Sequence, residues 1–161
     1  PGGYQPLQSS SLGRLGVLIC LESVLPHPSR ALVQRGAEVL VVIADDSSFG
    51  NSYWPRLHAA LAVFRAVENR RSLVFVNNTG SNLIVEPTGK IQQLAPVFQP
   101  QVLVGDLGRW QEMTPFTVAG EGLAWSCLGV SGLLLGQRWR SARRGSALHL
   151  GEKPVDHPEE P

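Results

Sequence analysis

Three short, unbroken apolar runs constrain the fold of this chain more than any other feature. Leu15 to Cys20 is the first, "EVLVVIA" (Glu38 to Ala44) the second and "SLVFVNN" (Ser72 to Asn78) the third. None alternates with polar residues, so each suits a strand buried on both faces of a sheet. β-branched residues fill the second run, which favours a strand. The segments between the runs have helical signals. Pro28 followed by "SRALVQRG" opens one helix, and Gly36 ends it. Pro55 opens a longer one, "PRLHAALAVFRAVENRR", whose Leu57, Ala60, Leu61, Phe64 and Val67 follow helical spacing. Strand, helix, strand, helix, strand is an α/β layered order. Residues 1–14 are expected as loop, "SNLIVEPTGKIQQL" as a hairpin turning at Pro87 to Gly89, and "QVLVGDL" as a last strand.

In parallel sheets, sites collect in the loops at the carboxyl ends of the strands. Cys20, the loop Asp45 to Gly50 and the turn Asn77 to Gly80 all fall there and are expected to line one cleft. Composition narrows the chemistry. The net charge of +1 on 161 residues gives no global field for nucleic acid. The two cysteines, Cys20 and Cys127, are far apart, with no C-x-x-C and no His/Cys cluster, so no zinc or other metal site is expected. One disulfide between them is the most that they allow. The chain starts at Pro1 and its one methionine is Met113, so a processed chain or a fragment is expected. No basic-then-apolar signal peptide opens it.

The character changes at Phe116. "FTVAGEGLAWSCLGVSGLLLG" (116–136) carries a single charge, Glu121. As one helix it would be roughly 31 Å long, about the thickness of a bilayer core. A buried core helix is the alternative. Arg138, Arg140, Arg143 and Arg144 follow directly, and a basic cluster after an apolar helix is the positive-inside pattern. The expected division is therefore an α/β domain over 1–115, a transmembrane helix over 116–136, and a basic then disordered cytoplasmic tail over 137–161.

Cys20 closes its strand, and Glu22 would lie on the same side of an extended chain. A cysteine inside an apolar run is more often inert packing than a nucleophile. A histidine is the usual activator of a thiol. His27 lies in a turn, His58 on the sheet-facing side of a helix, and His149 and His157 in the tail, so none is placed beside Cys20 by sequence. Arg65 and Glu68, three apart on a helix, are expected to pair. Asp45 and Asp46 are expected to cap a helix or bind loop backbone.

"GVLICLESVLP", then "DDSSFGNSYWPRLHAALAVFRAVENRRSLVFVNNTGSNLIVEPTGKI", then "TPFTVAGEGLAW" resemble, in order and spacing, the carboxyl-terminal part of the bacterial apolipoprotein N-acyltransferases. These are membrane members of the nitrilase, or carbon–nitrogen hydrolase, superfamily. The resemblance covers about Tyr4 to Arg144. It implies the carboxyl-terminal half of a nitrilase-type α-β-β-α sandwich followed by one transmembrane helix. It implies the inner membrane, with the catalytic domain periplasmic. The implied reaction moves a fatty acyl chain from a phospholipid donor to the N-terminal diacylglyceryl-cysteine of a lipoprotein acceptor, through a thioester and without a cofactor or nucleic acid. Cys20 matches the nucleophile, Glu22 an acidic residue that the family needs, and the Leu21 N–H the backbone donor of the oxyanion hole. Phe49, Trp54 and Glu68 are implied to line or support the site. The family's glutamate base and oxyanion lysine precede the stretch that matches. The chain has Leu21 where the family commonly has tyrosine, and Asp45-Asp46-Ser47-Ser48-Phe49-Gly50 in place of Asn-Asp-Ala-Trp-Phe-Gly. A nitrilase-type amidase and an inert membrane-anchored fragment without the base and lysine are the alternatives.

Overall fold

The computed structural model describes residues 3–149, without the side chains of Leu123 and of 140–149. It divides into two units, Pro1–Gly120 and Glu121–Pro161. The first is built on a six-stranded sheet whose spatial order follows the sequence. The strands are β1 (Leu7–Ser9), β2 (Gly13–Ile19), β3 (Val39–Ala44), β4 (Ser72–Asn77), β5 (Leu83–Val85) and β6 (Ile91–Leu94). β2, β3 and β4 are parallel, and the outer strands pair antiparallel. Helix α1 (Pro26–Gln34) joins β2 to β3, and α2 (Trp54–Asn69) joins β3 to β4. Both crossovers step the same way along the sheet, so right-handed connection puts both helices on one face. There Leu18, Leu40, Val42, Leu73 and Phe75 form the core with Leu32, Val33, Ala59, Ala62 and Ala66. Gly16 marks a close approach to α1: a Cβ there would lie 2.9 Å from Leu40 Cδ2 and 3.2 Å from Leu32 Cβ.

The other face differs from the expectation of strands buried on both sides. Ile19, Ile43 and Val76 pair in one register row and are each about half exposed. Val17, Val41 and Val74 form the next row, partly buried. The first unit holds one helix layer on one face of its sheet. An unbroken apolar run reports that both faces avoid water, but not which element covers them.

Several local expectations are corrected. The region expected as loop contains β1, an edge strand pairing Leu7 with Leu15. Gln101 to Leu107 forms no strand. Its Val102 and Val104 side chains face solvent, and side chains hold its backbone: Gln92 Nε2 donates to Asp106 O at 3.0 Å, and Gln93 Nε2 donates to Val104 O. Helix α1 starts at Pro26, not Pro28. The expected apolar stripe of α2 is its outer side, with Leu57, Phe64 and Val67 exposed. The buried stripe is His58, Ala59, Ala62, Arg65, Ala66 and Asn69. Small alanines allow α2 to lie close to the sheet, and the polar members find partners described below.

The single helix expected over 116–136 is two. Helix α3 (Pro115–Ala119) starts at Thr114, whose Oγ1 accepts from Thr117 N at 2.9 Å, and it ends at Gly120. Gly120 has φ 60°, a left-handed conformation that stops a helix at low steric cost. Helix α4 (Gly122–His149) belongs to the second unit and continues into the segment expected as a basic tail, where four arginines and two alanines favour helix. Among its exposed side chains are Trp125, Leu128, Leu133 and Leu135. No helix among the described residues is long and apolar enough to cross a membrane. The disordered end expected at 151–161, and the side chains of Arg140, Arg143 and Arg144, lie outside the described residues.

Candidate active site

Strand β2 stops at Ile19, and Cys20–Ser23 forms a 3₁₀ turn. Cys20 itself has φ 50°. A left-handed non-glycine residue costs on the order of 1–3 kcal/mol and persists only where its surroundings hold it. The Cys20 thiol is free and its residue partly exposed, at the carboxyl end of a parallel strand. Cys127 is also free, so the disulfide is not formed.

Glu22 does not stand beside Cys20 on an extended chain, because the chain turns at Cys20. Its Oε2 folds back and accepts the Ile19 N–H at 2.8 Å. Tyr4 packs nearby, and partial burial together with the Glu22 carboxylate pushes its phenol above the ordinary value. Leu21, half exposed, has no intrahelical acceptor for its N–H at the start of the turn.

Beneath the turn lies a buried polar cluster. His58 is fully buried, and its Nδ1 is 3.1 Å from both carboxylate oxygens of Asp46, also fully buried. Facing a carboxylate on one side and a carbonyl on the other, both acceptors, the ring carries a hydrogen on each nitrogen and donates from both. On the other side of the ring, Nε2 is 3.0 Å from Ser23 Oγ and 3.1 Å from the Cys20 carbonyl oxygen. Ser23 Oγ also donates to that carbonyl at 2.9 Å. Asp46 accepts from Asn77 Nδ2 as well, and Asn77 Oδ1 takes the Thr79 N–H at 3.1 Å. One continuous network thus ties together the carboxyl ends of β2, β3 and β4.

Phe49 and Trp54 lie side by side, ring centroids 5.1 Å apart. Trp54 stacks in turn on His58 at 5.9 Å, and His58 meets Phe75 edge-on at 5.1 Å. Arg65 and Glu68 pair at 2.8 Å as expected, and Arg65 Nη1 also donates to Val24 O at 3.2 Å, just past the turn. Burial pushes the Glu68 carboxyl above its ordinary value, against the opposing pull of Arg65. Asp45 binds loop backbone as expected, accepting from Ser47 N at 2.9 Å. The Ser47 hydroxyl, then this Ser47 N–H and the Asn78 amide, hold its carboxyl below the ordinary value. Among the described residues no cluster of His, Cys, Asp and Glu could hold a metal ion. Beside the Asn77 turn, a cavity of about 710 Å³ is lined by Asn78, Asn82, Gln99 and Gln101, among others.

The site therefore gathers Cys20, Glu22 and Leu21 at one strand end. His58, Asp46, Ser23 and Asn77 carry its internal network; sequence reasoning put the segments of Asp46 and Asn77 at the same strand ends as Cys20 but gave His58 and Ser23 no part beside it. His58 was marked as sheet-facing, but a lone histidine on a helix gives no sign of which carbonyl it meets.

The comparisons with known proteins agree with this architecture. A family model described as carbon-nitrogen hydrolase matches residues 1–113. The apolipoprotein N-acyltransferase of Geobacter metallireducens is 38% identical over 128 residues, covering 80% of this chain and 25% of that protein. That of Azotobacter vinelandii is 34% identical over 140 residues, covering 87% and 26%. The chain thus spans about a quarter of the length of the curated relatives that it matches. The crystal structure of a carbon-nitrogen hydrolase from Helicobacter pylori G27 shares the fold, with a TM-score of 0.53 at 20% identity over 63% of this chain and 42% of that one. The chain belongs to the carbon-nitrogen hydrolase family.

Proposed function

We propose that this chain carries the nucleophile half of an apolipoprotein N-acyltransferase site. The observation that carries the reading is Cys20, a free and partly exposed cysteine held left-handed at the end of β2 in a chain with these relatives. In the first step Cys20 Sγ attacks the ester carbonyl of a phospholipid acyl chain. The S–C bond forms, the ester C–O bond breaks, and the lysophospholipid leaves as its alcohol with the proton given up by the thiol. In the second step the α-amino group of a lipoprotein's N-terminal diacylglyceryl-cysteine attacks the thioester. The N–C bond forms, the C–S bond breaks, and the sulfur regains a proton from the amine.

Leu21 N–H stabilises the oxyanion in both steps. Phe49 and Trp54 flank the acyl chain, and Glu68 steadies the turn through Arg65. Glu22 fixes the strand end through Ile19 N–H and orients the acceptor. The reading requires a glutamate base and a lysine from beyond these residues. Lys90, the lysine among the described residues, pairs with Glu86 across the β5–β6 turn at 3.3 Å. The work site is the bacterial cytoplasmic membrane, with the catalytic unit on its outer side and the C-terminus cytoplasmic. The apolar side chains of α4 are the membrane-facing part, with Arg138 after them.

The test is chemical trapping in the full-length protein. Phospholipid with a labelled acyl chain should leave hydroxylamine-labile label on the Cys20 peptide, and Cys20→Ala should abolish it. Label that persists in C20A, or never forms on the wild type, sinks the proposal.

A further inference from the structure

The buried His58–Asp46 pair has no part in the two steps above, yet it touches the nucleophile's own peptide group. A peptide unit is planar and trans, so its carbonyl oxygen and its N–H point in opposite directions. The Cys20 carbonyl and the Leu21 N–H belong to one such unit. His58 Nε2 at 3.1 Å and Ser23 Oγ at 2.9 Å hold that carbonyl on the buried side. The Leu21 N–H must then point away from the core. His58 in turn cannot rotate freely, because Asp46 holds its Nδ1 at 3.1 Å and Trp54 and Phe75 pack on its ring.

We propose that His58, oriented by Asp46, is a positioning residue that aims the Leu21 N–H at the developing oxyanion by fixing the Cys20 carbonyl inward. It acts on the peptide plane and not on the thiol. This rests on the reading of Leu21 as an oxyanion donor.

Two reactions at Cys20 separate aim from exposure. Acylation by a p-nitrophenyl ester of a short fatty acid passes through a tetrahedral oxyanion: the S–C bond forms and p-nitrophenolate leaves. Alkylation by iodoacetamide needs an accessible thiol and no oxyanion hole. Both are followed on the Cys20 peptide of the full-length protein by mass spectrometry, with the exposed Cys127 as internal reference. His58→Asn keeps an amide near Asp46 but is too short to reach the Cys20 carbonyl. It should slow acylation about tenfold or more, while alkylation stays within about threefold. His58→Gln places an amide near the Nε2 position and should stay within about threefold of wild type in both reactions. Ser23→Ala, a smaller change, should slow acylation selectively in the same sense and scores the proposal if H58N does not fold. Wild-type acylation in H58N, acylation and alkylation falling in step, equal loss in H58Q, or no selective loss in S23A overturns it. A wild type that takes no phospholipid-derived label but shows this pattern loses the N-acyltransferase reading and keeps the positioning role.

Discussion

At the scale of single residues, the site depends on groups that are small or buried. Gly16 lies where α1 and the β3 side chains crowd β2. Gly16→Ala should lower stability by about 1–3 kcal/mol, the usual cost of overpacking. Urea denaturation would show this as a lower midpoint with unchanged slope, and an unshifted midpoint would contradict the packing described. Cys20 was legible as a strand-end residue because the apolar run ends there. Its left-handed backbone was not, because a cysteine carries no such preference; the Ser23 and His58 contacts with its carbonyl oppose relaxation. His58 was hidden for a related reason. Periodicity finds the apolar stripe of a helix, whereas α2 buries alanines and polar residues and leaves Leu57, Phe64 and Val67 outside.

At the scale of elements, the ends matter more than the interiors. The β2, α1, β3, α2, β4 order was readable because buried strands and proline-led helices leave strong local marks. The missing strand at 101–107 was not: it has the composition of a strand, but no strand pairs with it, and glutamine side chains satisfy part of its backbone. The division between α3 and α4 follows from Gly120, a glycine inside an apolar run that local composition alone does not flag. Thr114 caps α3 and also donates to the Glu68 carbonyl at the end of α2. Thr114→Ala should therefore cost about 1–2 kcal/mol, with faster amide exchange at Thr117. Thr114→Ser should restore most of it. Equal exchange in T114A and wild type would show that the cap is not holding this helix.

At the scale of the whole molecule, the first unit presents an apolar sheet face in the row Ile19, Ile43 and Val76. Such a face promotes association. Expressed alone, this chain should self-associate, and Ile43→Lys should raise its monomer fraction in size-exclusion chromatography while leaving the helix-side core intact. A chain that is already monomeric, or an I43K variant that associates as strongly, would count against this. The sequence by itself determined the parallel αβ core and put Cys20 at a strand end, because unbroken apolar runs, proline and glycine act over a few neighbouring residues. Tertiary structure alone decided that Cys20 is left-handed and that Glu22 turns back to Ile19. It alone brought His58, Asp46, Ser23 and Asn77 together beneath the turn. Those contacts join residues up to 38 positions apart, and a buried hydrogen bond between distant groups leaves no periodic trace in the chain.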